Sequence, residues 1–198
     1  MKIGLISFSD RDQERSKAYY ENLSTETQRV VSSIFMAPSE YATALIPCER
    51  KQLAAAIIRL CDEEKCPLVL TLGCAGPALA DITPDVTMEV VDRKLPGFGE
   101  IMRYYSYERF KVSVLSRGEA GVRGKSLVIN MPGRPKPVKF CMRLLQEGIM
   151  EALDQIAGLK IELRGDEIVV PIDKYLPFLK KIRPKPDPEG PKHPYIGE

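Results

Sequence analysis

The chain has 198 residues, which is enough for one well-buried domain and an appendage but short for two full domains. Its 29 Lys and Arg nearly balance its 27 Asp and Glu, and no basic block with interleaved aromatic residues occurs. This composition argues against a nucleic-acid partner. The apolar run near the start is too short to span a membrane and lacks a basic leader and a cleavage site, so we expect no membrane association.

The cysteines predict the compartment. They are odd in number and unevenly spaced, as in reduced cytoplasmic proteins rather than in disulfide frameworks: Cys48, Cys61, Cys66, Cys74 and Cys141. Cys61, Cys66 and Cys74 stand further apart than paired zinc ligands do, and the only histidine, His193, lies in the C-terminal tail. We therefore predict a cytoplasmic protein without a zinc site.

The first elements in chain order are a strand and two helices. Ile3–Phe8 reads as a buried strand, and the charged stretch that follows, "RDQERSKAYYEN", reads as a loop. A helix is predicted around "TETQRVVSSIF" from a short apolar stripe. A second helix is predicted from Glu49 to Lys65, where apolar residues recur at helical spacing and Pro67 follows the end.

The middle of the chain combines a strand, a glycine loop and a helix. "PLVLTL" is a continuous apolar run, typical of a strand buried in a parallel sheet. The glycine loop "GCAGP" comes next. A helix then follows, with Thr83 as the expected N-cap, Pro84 at the first helical position and Asp85 in the first turn.

The remaining elements complete an α/β pattern. "FKVSVLS" and "KSLVIN" read as strands, and Val138–Gln155 reads as a closing helix. This order predicts a mainly parallel sheet between helices for residues 1–157. "KIELRGDEIVV" is predicted to form a hairpin, and the proline-rich end is predicted to be extended, so residues 158–198 form a C-terminal extension.

The glycine loop is the candidate site, because ligands of open α/β sheets bind at the carboxyl ends of the strands. Neither phosphate-binding fingerprint is present, neither G-x-x-x-x-G-K-[ST] nor G-x-G-x-x-G. A bound phosphate would therefore meet backbone N–H groups and a metal. Asp81 is the carboxylate beside this loop, and it is either a turn residue or a ligand of Mg²⁺.

Four segments together carry a family resemblance: "TLGCAGPALADITPD", "VVDRKLPGFGEIMR", "LSRGEAGVRGKSLVIN" and "MPGRPK". In order and spacing they are similar to the MogA/MoaB-type molybdopterin adenylyltransferases, and "KIGLISFSDR" resembles that family's start. The resemblance covers residues 1–157. It implies an α/β domain, commonly trimeric, that uses Mg²⁺ and ATP to adenylate the phosphate of molybdopterin before a partner protein inserts molybdenum.

The resemblance also implies site residues. Asp81 matches the acid that works with Mg²⁺, and Cys48 stands where the family has an acid at the entry to its second helix. A turn of the family matches four further residues: Pro96, Gly97, Phe98 and Gly99. The residues expected near substrate and nucleotide are Thr71, Gly73, Cys74, Ala75, Gly76, Pro77, Thr83, Ser116, Arg117, Pro132, Gly133 and Pro135.

Three departures from the family leave two functions open. Cys48 removes a carboxylate, although Glu49 is adjacent; "GCAG" replaces a Gly-Gly-Thr-Gly loop; and the first loop is unusually charged. Cysteine is a poor ligand for a hard cation and a poor N-cap. The chain is therefore either an adenylyltransferase that tolerates Cys48 or a pterin- or nucleotide-binding protein without catalysis.

Overall fold

A computed structural model describes residues 1–9, 14–36 and 40–164. These residues lie within one compact unit, Met1–Asp166. The proline-rich end and most of the predicted hairpin fall outside the described residues, so the division at residue 158 stays a prediction. The residues just beyond 157 pair with the end of the first helix, where the Met36 N–H donates to the Glu162 carbonyl (2.8 Å) and Leu163 forms a β-bridge with Phe35.

One six-stranded mixed sheet forms the centre of the fold, in the order β2-β1-β3-β6-β5-β4. The first four strands in this order are parallel, and β5 and β4 are antiparallel to their neighbours. This arrangement confirms the predicted mainly parallel sheet. The strands are β1 Lys2–Phe8, β2 Glu40–Ile46, β3 Leu68–Leu72, β4 Arg93–Lys94, β5 Ala120–Arg123 and β6 Ser126–Met131.

Helices cover both faces of the sheet. The α-helices are α1 Glu14–Ile34, α2 Arg50–Ile58, α3 Thr83–Val90, α4 Pro96–Arg109 and α5 Pro135–Ala157. A π-helical turn, Arg59–Glu63, extends α2, and a 3-10 helix, Lys111–Leu115, follows α4. Within the described ranges, no helix is both long enough and apolar enough to cross a membrane.

The pleat of the strands divides the core into two layers. Leu68, Leu70 and Leu72 pack with the buried faces of α1 and α5, whereas Val69, between them, packs with α2 and α3. Successive residues of a strand point to opposite faces, so an uninterrupted apolar run is required where both faces are covered. The run "PLVLTL" meets that requirement.

Two predictions of local structure are wrong, and three strands were not predicted. The charged segment after β1 is helical from Glu14, in agreement with the high helix propensity of Glu, Arg, Lys and Ala. "FKVSVLS" forms the 3-10 helix instead of a strand, and its Val112 and Val114 are exposed. The sequence analysis also missed β2, β4 and β5, which are short or partly exposed and therefore carry weak apolar patterns.

Candidate active site

Two loops meet at the carboxyl edge of the sheet. One follows β3 and begins at Gly73; the other follows β6 and contains Gly133. The Gly73 N–H donates to the Met131 carbonyl (3.0 Å), and a Cβ added to Gly73 would lie 3.3 Å from the Gly133 Cα. The Tyr19 hydroxyl donates to the Gly133 carbonyl (2.7 Å). Glycine at both positions permits this close approach, because a Cβ on either residue would press against the backbone of the other.

The β3 loop has an unusual backbone. Gly73 adopts φ +104° and Cys74 adopts φ +50°, which is the left-handed region. That conformation costs a residue with a Cβ about 1–2 kcal/mol, whereas it costs glycine almost nothing. Cys74, where the resemblance implies a glycine, therefore lies at a position with a strained backbone. The loop nevertheless keeps its course, because the Cys74 carbonyl accepts the Thr83 N–H (3.0 Å).

A cleft of about 440 Å³ opens beside these loops. Its lining includes the Gly73–Pro77 loop together with Asp81, Ser116 and Gly133. It also includes a mainly apolar set: Met102, Ser106, Phe110, Val112, Ser113, Leu115, Pro137 and Cys141. The cleft therefore suits a ligand with an anionic end and a flat or apolar end.

Asp81 is held close to the loop by short contacts. Its Oδ2 accepts the Ala78 N–H (3.0 Å), and a Cβ added to Gly76 would lie 2.7 Å from that oxygen. The glycine therefore allows the carboxylate to approach. Within the described part of the chain, the N–H groups of Ala75 and Gly76 donate no hydrogen bond. The site thus combines two available amides with one carboxylate.

Arg117 lies outside the residues that line the cleft, although the resemblance implies a ligand contact for it. Its Nε donates to the Gly76 carbonyl (2.9 Å) and its Nη2 to the Asp81 carbonyl (2.6 Å). Nη1 and Nη2 also hold both carboxylate oxygens of Asp85 (3.1 and 2.7 Å), and this pairing lowers the pKa of Asp85. Ser116 lines the cleft but follows the 3-10 helix instead of a strand.

Thr71 and Thr83 are buried and do not line the cleft. The Thr71 hydroxyl accepts from the Asn130 amide (3.0 Å), which also donates to Thr87 (2.8 Å). The predicted N-cap at Thr83 is wrong: Ile82 occupies the cap position, and Thr83 is the first helical residue. Its Oγ1 is the only buried side-chain oxygen or nitrogen without a partner among the described residues.

Cys48 follows β2 at the same edge of the sheet but does not line the cleft. Its Sγ donates to the Ala80 carbonyl (3.1 Å), next to Asp81. The cap position of α2 belongs to Glu49, which makes no side-chain cap bond, and its Oε2 accepts from Gln52 (2.9 Å). An acid at position 48 would therefore not be the N-cap, contrary to the expectation from sequence.

Two cations in the cleft, Arg103 and Arg134, were not predicted from the sequence. Arg103 donates to the Gly118 carbonyl (2.8 Å) and pairs with Glu119 (3.1 Å). Arg134, inside the quoted "MPGRPK", also lines the cleft; its side chain is exposed and forms no hydrogen bond or ion pair with the described residues. Both arginines lie inside quoted motifs, since Arg103 ends "VVDRKLPGFGEIMR", so position within a motif could have revealed them. Arg103 lies on α4, whose first turn is the "PGFG" segment that was predicted to be a turn outside any helix.

The described residues contain no group of three or more His, Cys, Asp or Glu side chains able to hold a metal. None of the five cysteines, all within the described ranges, forms a disulfide bond. Burial raises the pKa of Cys61, Cys66 and Cys141 to about 11, so these thiols stay protonated at neutral pH. A cation here would need ligands from a bound molecule as well as from Asp81.

Known proteins resemble this chain over most of its length. A family model described as a probable molybdopterin binding domain matches residues 24–152. Proteins named molybdopterin adenylyltransferase are similar over most of the chain. The one from Helicobacter pylori strain J99 is 43% identical over 167 residues, covering 84% of this chain and 93% of that protein. The one from Escherichia coli K12 is 39% identical over 152 residues, covering 77% and 75%.

A solved structure is similar in fold. The molybdopterin biosynthesis enzyme MoaB from Thermus thermophilus superposes with a TM-score of 0.68 at 30% identity, covering 80% of this chain and 98% of that one. The shared part corresponds to the α/β domain that carries the cleft.

Proposed function

The chain belongs to the MogA/MoaB family of molybdopterin-binding proteins, and from this premise we propose that it is a molybdopterin adenylyltransferase. It would transfer AMP from ATP to the terminal phosphate of molybdopterin and release pyrophosphate, as a step of molybdenum cofactor biosynthesis. The names of the relatives favour this enzyme over a binding protein without catalysis.

One observation carries the proposal: the Gly73–Pro77 loop and Asp81 line the same cleft at the carboxyl edge of the sheet. The amides of Ala75 and Gly76 suit phosphate oxygens, since they have no partner among the described residues. Asp81 stands beside them with one oxygen bound to the Ala78 N–H. An anion-binding loop next to one carboxylate is the arrangement that a metal–nucleotide complex requires.

The reaction joins two anions. An oxygen of the molybdopterin phosphate attacks the α-phosphorus of ATP, and the bond from this phosphorus to the oxygen bridging to the β-phosphorus breaks. The phosphate nucleophile has no proton to lose at neutral pH, so the site needs no general base. The work of the protein is to align the two substrates and to offset the negative charge that collects between them.

Mg²⁺ fits the donor set around Asp81. Magnesium is bound through one or two carboxylates plus substrate phosphates and water, so a lone carboxylate beside a phosphate loop suffices. Asp81 would hold it, and the ion would supply Lewis-acid stabilisation of the phosphate oxygens when bound. The amides of Ala75 and Gly76 would hold phosphate oxygens without adding a group that must first lose a proton.

Arg134 and the apolar wall complete the proposed assignment. Arg134 lines the cleft with its charge available among the described residues, and it would neutralise a substrate phosphate. Met102 and Phe110 also line the cleft, and a planar ring system would be buried against them. Pro132 and Gly133 belong to the same lining.

We infer that the Cys48 departure does not abolish catalysis. Cys48 does not line the cleft, and its thiol holds the Ala80 carbonyl instead of facing the proposed nucleotide position. The carboxylate assigned to the metal, Asp81, is retained. The backbone strain at Cys74 lowers the stability of the loop, but the loop keeps its contact with Gly133.

We further propose a cytoplasmic homotrimer that passes its product to a molybdenum-inserting protein. Self-association is supported by a set of apolar side chains that are exposed along α4 and the 3-10 helix and do not line the cleft, which we call the α4 face: Ile101, Tyr104, Tyr107 and Val114. Surfaces of this kind mark protein contacts. A cytoplasmic location is supported by the protonated, unpaired state of the buried cysteines.

The decisive experiment for the proposed activity is a turnover assay with purified protein, molybdopterin, ATP and Mg²⁺. We expect adenylated molybdopterin and pyrophosphate in equal amounts, and no product when Mg²⁺ is chelated. Nucleotide binding without pyrophosphate release would favour a binding protein instead. The absence of both would overturn the assignment.

The oligomeric proposal is tested separately by sedimentation equilibrium. Tyr104→Lys in the α4 face should shift a trimer toward monomers, because a charge buried in an apolar contact is costly. Lys94→Glu, on the exposed strand β4 and outside the residues of that face, is the control. A wild-type monomer at the concentrations of the assay would contradict the trimer.

A further inference from the structure

We propose that Arg117 is a positioning residue that aims the glycine loop and Asp81 at the nucleotide without touching it. This inference rests on the proposed function and goes beyond it, because the resemblance treats Arg117 as a ligand contact. Arg117 is absent from the residues that line the cleft, whereas Gly76 and Asp81 are among them.

The geometry of the peptide bond links Arg117 to the loop amide. The Arg117 N–H donates to the Ala75 carbonyl (2.8 Å). In a trans peptide the C=O of one residue and the N–H of the next point in opposite directions, and the described residues contain no cis peptide. The Gly76 N–H is therefore directed away from the backbone of Arg117. The bond that sets this direction uses the backbone N–H, which Arg117→Ala and Arg117→Lys both keep, so those variants test the additional hold of the guanidinium.

The guanidinium extends the same control to the next segment. Its Nε fixes the Gly76 carbonyl and its Nη2 fixes the Asp81 carbonyl, so one planar group spans both ends of the turn that carries the carboxylate. Asp85 holds the guanidinium itself through two further bonds (3.1 and 2.7 Å). Each of the three guanidinium nitrogens donates at least one hydrogen bond within the protein.

The fork shape of arginine is essential to this role. Nε and Nη2 donate to two carbonyls, and Nη1 and Nη2 donate to one carboxylate. The compact ammonium group of lysine cannot make all of these hydrogen bonds at once. A lysine at position 117 would keep the charge near Asp85 but lose the simultaneous hold on Gly76 and Asp81. Arg117→Lys should therefore behave more like a loss than like a conservative exchange.

The chain offers a matched control in Arg123. This arginine also grips a carboxylate, Asp62, with Nε (3.1 Å) and Nη2 (2.6 Å), and its Nη1 also holds a carbonyl, that of Val90 (2.7 Å). It lies at the opposite edge of the sheet and does not line the cleft. Arg123→Ala removes a comparable set of bonds without touching the glycine loop.

The experiment compares wild type with Arg117→Ala, Arg117→Lys and Arg123→Ala. Hydrogen–deuterium exchange of residues 74–83 and thermal melting are measured without ligand, and kcat and KM for Mg–ATP are measured with molybdopterin. Both alanine variants should have a lower melting temperature than the wild type. Only the Arg117 variants should exchange faster in residues 74–83 and lose kcat/KM for Mg–ATP, by roughly 10- to 100-fold. Added guanidinium ion should restore turnover to Arg117→Ala, and methylammonium should not.

The outcomes separate the inference from the proposed function. An inactive wild type would overturn the adenylyltransferase proposal, and the exchange data would then decide alone whether Arg117 positions the loop. An active wild type whose kcat/KM and loop exchange are the same in Arg117→Ala and Arg123→Ala would overturn the positioning role. Full activity in Arg117→Lys would show that charge alone suffices and would also refute it.

Discussion

The two edges of the sheet contain similar polar contacts, but these contacts have different roles. At the amino edge, Arg123 pairs with Asp62 and Lys2 pairs with Glu64 (2.8 Å), and these contacts tie helical turns to strand ends. At the carboxyl edge, Arg117 pairs with Asp85 but directs its remaining donors to the carbonyls of a loop. The ion pairs at the amino edge thus join helical turns to strands, whereas the arginine at the carboxyl edge also fixes the loop that lines the cleft.

Unmet and crowded groups distinguish the carboxyl edge more than backbone conformation does. Each edge has a left-handed residue other than glycine: Lys65 (φ +54°) precedes β3 at the amino edge, and Cys74 (φ +50°) follows β3 at the carboxyl edge. Only the carboxyl edge adds the contact between Gly73 and Gly133 and the buried Thr83 hydroxyl without a partner in the described residues. Unmet hydrogen bonds and close backbone contacts tend to collect at functional sites, where the surrounding fold holds them in place. We infer that stability is given up at the carboxyl edge in favour of the cleft, and the following changes test this contrast.

The largest effect is expected for Asp81→Asn. The amide keeps the shape of the side chain, and its oxygen can still accept the Ala78 N–H, but the charge proposed to hold Mg²⁺ is lost. Turnover should fall about 100-fold or more, the scale for losing one electrostatic contact with the transition state. Steady-state kinetics over a range of Mg²⁺ concentrations measures this fall in turnover. Unchanged kcat together with an unchanged melting temperature would assign Asp81 to the turn alone.

A smaller loss is expected for Gly76→Ala. The added Cβ would lie 2.7 Å from Asp81 Oδ2, so the carboxylate must move. Displacement of a reacting group by a fraction of an ångström should lower turnover roughly 10-fold. Gly97→Ala is the matched control, because nothing lies within 4 Å of its Cβ in the first turn of α4. Equal turnover in both variants would show that Asp81 tolerates displacement.

Cys48→Asp should lower stability instead of raising it. Position 48 precedes the N-cap of α2, and an ionised carboxylate cannot donate to the Ala80 carbonyl as the thiol does. We expect a loss of about 1 kcal/mol, measured by urea unfolding at neutral pH. Cys48→Ser keeps a donor and serves as the control. A more stable Cys48→Asp would mean that position 48 caps α2 after all.

The smallest effect concerns pH. Arg117 lowers the pKa of Asp85 below its ordinary value of 3.8, so the pair contributes stability above that value and loses it as the pH falls through the folded-state pKa. Both side chains are 43% exposed, and the contribution should stay below about 1 kcal/mol. Urea unfolding of wild type and Asp85→Asn should differ at neutral pH and converge in acid. A constant difference would exclude the ion pair as its cause.

The parts of the fold whose signal is local could be predicted from the sequence. The apolar run of β3 and the stripes of α2 and α5 predicted those elements, because burial of a strand or helix face requires a particular residue spacing. The Gly73–Pro77 loop and Asp81 were also found from sequence. A glycine loop after a buried strand has few structural alternatives, and the family motif places the acid eight residues beyond Gly73.

The roles of the side chains around that loop became visible only in the folded chain. Arg117 reaches Gly76 across 41 positions of sequence, and Arg103 enters the cleft because α4 packs beside the sheet edge. Thr71 turned out to be buried in a network with Asn130, 59 residues away. Residue spacing records burial and backbone preference over a few positions. The partner of a hydrogen bond depends on how distant strands and helices pack, which no local pattern contains.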